Sequence, residues 1–272
     1  MRGVSRHSFA RGQERLESAA RDLDAEGQRR LGGDLLAVAR LLHRESRLRR
    51  VVSDPALPPE RRAQLLGQFL TDRLSAPATQ VAEELAGATW ARPRDVVDAA
   101  DALGAQALFA SAERAGTLDD VEDELFRFSR ILDREPRLRA ALTDPGLPAD
   151  LKRTMLEDLV GAKVRPVTLT LVLEVVLHAR GRTIDRGLEE YSRMAAERRE
   201  RLVARVYTVV PLSEEQQRRL ADALAAQVGH QVHLNIEIDP DLLGGLTVRV
   251  GDQLFDGSIA HRLGEAHRRI AG

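Results

Sequence analysis

Residues 40–58 read RLLHRESRLRRVVSDPALP, and residues 130–148 read RILDREPRLRAALTDPGLP. Eleven of these 19 positions are identical at an offset of 90, where unrelated stretches would share about one or two, so the chain carries an internal repeat. The match extends outwards. Leu35 and Leu36 align with Leu125 and Phe126, Leu65 and Leu66 with Met155 and Leu156, and WARPRDVV from Trp90 with HARGRTID from His178 after a shift of two. Each copy has a helical pattern, with Leu35, Val38, Leu41 and Leu42 in one and Leu125, Phe128, Ile131 and Leu132 in the other. Asp54-Pro55 and Asp144-Pro145 break both helices, because a residue before proline is pushed out of the helical region. Pro58 and Pro148 then stand at helix starts, where a missing N–H costs nothing. A third helix is expected over 77–89 and 166–178, and a fourth from near Arg94 and near Arg182. The first of these fourth helices runs from Asp95 towards Arg114, ends at Gly116, and joins the copies. A coiled coil does not fit, since no heptad pattern passes the proline breaks.

Composition narrows the function. The 272 residues are 43% hydrophobic but only 3% aromatic, so the cores must be built from Leu, Val and Ala. Charged residues make up 31% with a net charge of −1, a balance that argues against a nucleic-acid binder. There is no Cys, which excludes disulfides, thiol catalysis and thiolate zinc sites. The first residues, MRGVSRHSFARGQERLES, show no apolar core of a secretory signal. The most apolar run, 167–177, is too short to span a bilayer and contains Glu174. No G-x-x-x-x-G-K-[ST] occurs, and the only lysines are Lys152 and Lys163, so no phosphate-cradling loop is expected. His230 and His233 lack further ligands at closing distance. His43 and His178 read as helix residues, and the basic run 199–205 as a solvated helix end. No catalytic residue, metal site or cofactor is expected.

Near Arg201 the character changes. LVARVYTVVP (202–211) is Val-rich and reads as a strand. Ser213 with Gln216 forms a capping box for a helix that ends at Gly229, with Leu220, Leu224 and Val228 on its core face. Residues 232–238 alternate, placing Val232, Leu234, Ile236 and Ile238 on one face. Residues 245–250 make another strand, Gly251-Asp252 a tight turn, and Leu254-Phe255 a short partner strand. Ser258 is positioned to cap a last helix over 259–270. The expected fold is mainly α, with two related helical bundles at 1–95 and 96–200 followed by a small α/β C-terminal domain at 201–272.

The stretch VHLNIEIDPDLLGGLTVRVG (232–251) carries spaced aliphatics, Asp239, Leu242, the pair Gly244-Gly245, Val248-Arg249 and Gly251. DGS follows at 256–258, with Asp256 and Gly257, and VPLSEEQ precedes at 210–216. Together these residues resemble the delta subunit of bacterial F-type ATP synthase, the family of the oligomycin-sensitivity-conferring protein. Residues 107–132 look like that family's first two helices. The familiar form has one helical bundle; the extra bundle here is similar to the long actinobacterial version. The resemblance implies a peripheral-stalk subunit that joins the catalytic head to the b-type stalk. It also implies peripheral attachment at the cytoplasmic side of the cell membrane, with contact to the membrane only through partners. It further implies that the helical domain takes the N-terminal helix of an alpha subunit in a groove, and that the C-terminal domain meets the b-type stalk. Mapped onto this chain, the groove falls on Leu108, Phe109 and Ala112 and on Leu171, Val175 and His178. Aliphatic residues at helical spacing are more often core than groove, so the resemblance selects the helix pair rather than each contact. For Gly244 and Gly245 a backbone bend is the simpler reading, and for Asp239 and Asp256 a turn. Two other classes stay open on the residues alone: an unrelated helical-repeat adaptor, and an enzyme with a site between domains.

Overall fold

A computed structural model describes residues 3–201, 203–228, 232–239, 242, 244–250 and 253–256. It divides into two compact units, Met1–Ala195 and Ala196–Gly272. The first is helical. Its first copy contains α1 (Val4–Ala20), α2 (Ala25–Arg44), α3 (Ser46–Val52), α4 (Pro59–Leu70) and α5 (Ala76–Gly87). Then α6 (Asp95–Arg114) leads into α7 (Leu118–Arg134), α8 (Pro136–Thr143), α9 (Ala149–Leu156), α10 (Pro166–Leu177) and α11 (Ile184–Arg201). A π-helical turn, Glu157–Gly161, extends α9. The helices α8, α9 and α10 begin 90 residues after α3, α4 and α5, the offset of the sequence repeat.

The local devices recur with the helices. The Asp54 carboxylate accepts the Ala56 N–H at 2.9 Å, and the Asp144 carboxylate accepts the Gly146 N–H at 2.8 Å. Each aspartate thus closes its own turn just before the next helix. Arg49 donates to the Leu42 carbonyl, and Arg139, its counterpart, donates to the Leu132 carbonyl, which satisfies the end of a preceding helix in both copies. Asp34 accepts the Ser75 N–H at 2.9 Å, and Glu124 accepts the Arg165 N–H at 2.8 Å. In each copy a carboxylate from the second helix therefore caps the start of the fifth, where unpaired N–H groups and the helix dipole favour negative charge.

The first core joins Leu31, Leu35, Val38 and Leu42 of α2 to Val81 and Leu85 of α5, and to Val96, Val97 and Leu103 of α6. The N-terminal half of α6 thus completes the first bundle, while α6 also touches α7 and α10 of the second. Helices α2 and α6 cross at two glycines. A Cβ on Gly32 would lie 2.8 Å from the Gly104 carbonyl oxygen, and one on Gly104 would lie 3.0 Å from that of Gly32. Only glycine permits this backbone approach. Leu36 and Leu108 close its flanks, each fully buried or nearly so.

In the second unit, β1 (Val203–Thr208), α12 (Glu214–Val228), β2 (His233–Ile238), β3 (Leu246–Val250) and β4 (Gln253–Asp256) follow in order. The sheet order is β2-β1-β3-β4. Strands β1 and β2 are parallel, with α12 as their crossover, and β3 pairs antiparallel with both β1 and β4. The capping box forms in full: the Gln216 backbone N–H donates to the Ser213 hydroxyl, and the Ser213 backbone N–H donates to the Gln216 side-chain amide oxygen, Oε1. Ala204, Val206, Leu224, Val232, Val248 and Val250 form the core, with Leu220, Leu234 and Ile236 against it. Ile238, expected on this face, is 58% exposed. It ends an edge strand opposite Thr208, itself the last residue of β1, so no further apolar layer reaches it. The expected helix over 259–270, the Gly251-Asp252 turn, Gly229 and His230 lie outside the described residues.

Candidate functional site

The structure sets α6 and α10 side by side, the pair expected to frame the groove. Leu108, Phe109 and Ala112 on α6, and Leu171 and Val175 on α10, are all buried. Val175 packs so tightly on α11 that a Cβ on Gly187 would meet its Cγ1 at 2.8 Å. These side chains form the wall behind the helix surfaces. His178 follows the last residue of α10 and caps it, its N–H donating to the Glu174 carbonyl at 3.0 Å. The half-buried side of α10 instead carries Leu169, Leu173 and Leu177, each four residues apart, one stripe along a helix. At the same positions α5 carries Thr79, Glu83 and Gly87. The first copy also ties α1 across α5 with the Arg11–Glu84 ion pair at 2.7 Å and the Arg15–Gln80 hydrogen bond at 2.8 Å.

Beneath α10 lies a charged cluster that links the copies. Glu174, buried inside the apolar helix, accepts from Arg40 of α2 and from Arg180, both at 2.6 Å. Asp101 of α6 accepts from Arg180, from Arg182 at 2.8 Å and from the Tyr191 hydroxyl at 2.9 Å. Arg182 also bonds Glu190 at 2.7 Å, and Arg94 donates to the Arg180 carbonyl. Burial pushes the Glu174 carboxyl above its ordinary range, opposed by Arg180 and Arg40. Burial, reinforced by Asp101, raises the Tyr191 phenol. Burial lowers His178 to about 4, with Arg40 and Arg180 adding to the effect. The sequence held two signs of this cluster, a lone acid in an apolar helix and the Arg180–Arg182 pair, but neither reveals its partner 79 or more residues away.

The C-terminal motif residues take structural positions. The Asp239 N–H donates to the Thr208 carbonyl, and the Leu242 N–H reaches the Asp239 carbonyl at 3.4 Å. Gly244 and Gly245 have φ of 127° and 84°, a region open to glycine and strained for other residues. Val248 is buried, and Arg249 is exposed on the opposite face, paired across the sheet with Arg205 and Leu254. The Asp256 backbone pairs with Thr247. Gly251 and Gly257 lie outside the described residues. Among the described residues, no group of three or more His, Cys, Asp and Glu is placed to hold a metal, and no helix is long and apolar enough to cross a membrane.

A family described as ATP synthase delta (OSCP) subunit matches residues 104–270, beginning inside α6. The chain is similar to ATP synthase subunit delta of Streptomyces avermitilis, with 46% identity over 99% of this chain and 98% of that one. It is also similar to ATP synthase subunit delta of Thermobifida fusca, with 44% identity over the full length of both. Among solved structures it is similar to a chain of the Toxoplasma gondii mitochondrial ATP synthase hexamer. That likeness has 25% identity, covers 62% of this chain and 95% of the other, and has a TM-score of 0.32.

Proposed function

The chain belongs to the ATP synthase delta (OSCP) subunit family, and from that membership we propose how its surfaces serve a peripheral stalk. It is a stator subunit of F-type ATP synthase, part of a membrane-bound complex, and links the catalytic head to the stalk so that proton flow can drive ATP synthesis. In our reading the second bundle receives the N-terminal helix of a catalytic-head alpha subunit along α10. The observation that carries this is the half-buried Leu169–Leu173–Leu177 stripe along α10, where the first copy has Thr79, Glu83 and Gly87. An amphipathic helix docks through aliphatic anchors at such spacing, and needs no catalytic group on the receiving side. The buried Leu108, Phe109, Ala112, Leu171 and Val175 support that surface from behind, and His178 lies at its end.

The small α/β unit would take the b-type stalk, and the first bundle, 1–95, would be a copy of the second, 96–200, with its groove closed by polar ties. Two separate docking surfaces on one chain add avidity, which suits a joint under load. The chain would have no turnover of its own, would bind no nucleic acid, and would reach the cytoplasmic side of the membrane through its partners alone. Its near-zero net charge and lack of a phosphate-loop motif support this. The experiment is Leu173→Glu in the full chain, with affinity for the purified catalytic head as the readout. Desolvating an unpaired carboxylate should weaken binding by about tenfold or more while melting stays cooperative. A folded Leu173→Glu chain that binds the head normally overturns the assignment.

A further inference from the structure

Where the end of α2 meets the end of α10, the helical unit holds a cavity of about 430 Å³. Its charged or titratable lining residues are Arg40, His43 and Arg44 on one side and His178 and Arg180 on the other; the rest are Ala and Leu. No acid lines it. Glu174 lies nearby, but two guanidinium groups already occupy it. Arg180 keeps its Nε buried with no acceptor. The Arg44 side chain is 77% exposed, with only Glu45 close to it at 3.2 Å.

Arg40 and Arg180 are taken up by Glu174 and Asp101, which leaves Arg44, paired only with Glu45, as the lining arginine open to a further partner. Burial lowers both imidazoles first. Arg180, Arg94 and Arg49 press His43 further down against Asp98 alone, and Arg40, Arg180 and Arg153 do the same to His178. The imidazoles of His43 and His178 stand among arginines and bring N–H groups to the cavity, so an oxyanion entering there would gain charge-assisted hydrogen bonds.

We propose that this cavity is a binding site for a small oxyanion, a phosphate or a carboxylate, held by Arg44, His43 and His178 at the junction of the two bundles. The oxyanion comes from one of two sources, a free or nucleotide-borne phosphate or an acidic side chain of a neighbouring subunit.

The test is NMR of the histidine rings in the full chain, titrated with inorganic phosphate and, separately, with acetate, against sodium chloride at matched ionic strength. The expected result is a saturable shift of His43 and His178 that chloride does not reproduce. Phosphate binding about tenfold tighter than acetate assigns the site to phosphate, as double charge and bidentate geometry favour it. Equal responses, with displacement of phosphate when the chain assembles with the rest of the complex, assign it to a carboxylate. Arg44→Gln with His43→Gln, both exposed, should weaken either anion by about fivefold, the scale of partly exposed charged contacts, without changing the melting curve. The proposal fails if the rings respond only as they do to chloride, or if the double variant melts normally and binds phosphate unchanged.

Discussion

Asp54 and Asp144 close the same turn at 2.9 and 2.8 Å, yet Thr79, Glu83 and Gly87 of the first bundle stand where the second has Leu169, Leu173 and Leu177. The copies share the devices that stop, start and cap their helices and differ at the surfaces those helices offer. A second difference runs the other way. Leu36 of α2 is fully buried against α6, while its counterpart on α7, Phe126, is 62% exposed. A third concerns charge. Arg11 meets Glu84 directly in the first copy; at the same positions the second has two acids, Asp101 and Glu174, joined through Arg180. A duplicated fold can keep its frame while the surfaces of its two copies diverge.

Each difference can be tested by treating the two copies alike. Glu174→Ala should cost about 3–5 kcal/mol, because it leaves Arg180 and Arg40 without their carboxylate in a buried site. Its counterpart Glu84→Ala removes an ion pair to a half-exposed arginine and should cost under about 1 kcal/mol. Urea unfolding of the full chain measures both, and equal losses would mean that the copies are tied in the same way. Leu36→Ala should cost about 3 kcal/mol as a buried truncation, against about 0.5 kcal/mol or less for Phe126→Ala, an exposed side chain. A large loss at Phe126 would show that α7 is covered after all.

Gly104→Ala should cost about 2 kcal/mol, since its Cβ would meet Leu36 at 2.9 Å and a backbone carbonyl at 3.0 Å. Gly33→Ala on the same pair of helices meets nothing within 4 Å, and should stabilise by up to about 1 kcal/mol through helix propensity. If both substitutions destabilise, the crossing at Gly32 and Gly104 is not the constraint. A pH-dependent effect is expected at His178. Its unfolded imidazole takes a proton near 6.5 and its folded one only at about 4. Between those values the unfolded chain binds more protons, so stability should fall as pH drops from 6.5 towards 4. The His178→Gln chain should lose that slope, and melting temperatures taken across the window compare the two.

Much of the frame was legible because it rests on local chemistry. A proline break and a Ser–Gln capping box each act within a few residues, and the repeat wrote the first of them twice. The boundaries of α5, α6 and α10 fell within a few residues of the expected ones for the same reason. The candidate groove was legible only as a helix pair. Leu171 and Leu173 are the same residue type two positions apart, and nothing local says which one the bundle covers. Nor could spacing find the Asp101, Glu174 and Arg180 cluster, whose members come from α6, α10 and the segment after it.

The duplication, the helix ends marked by proline and the alternation of β2 followed from the residues themselves, since short-range sterics and hydrogen bonding decide them; α1 and the breaks at Glu45 and Glu135, which part α2 from α3 and α7 from α8, did not. The burial of Leu108, Phe109 and Val175, the exposure of Phe126 against the burial of Leu36, and the gathering of Arg40, Glu174 and Arg180 were decided by tertiary structure alone. Which face of a helix meets its neighbours depends on elements far away in the chain, and identical patterns in the two copies acquired different neighbours.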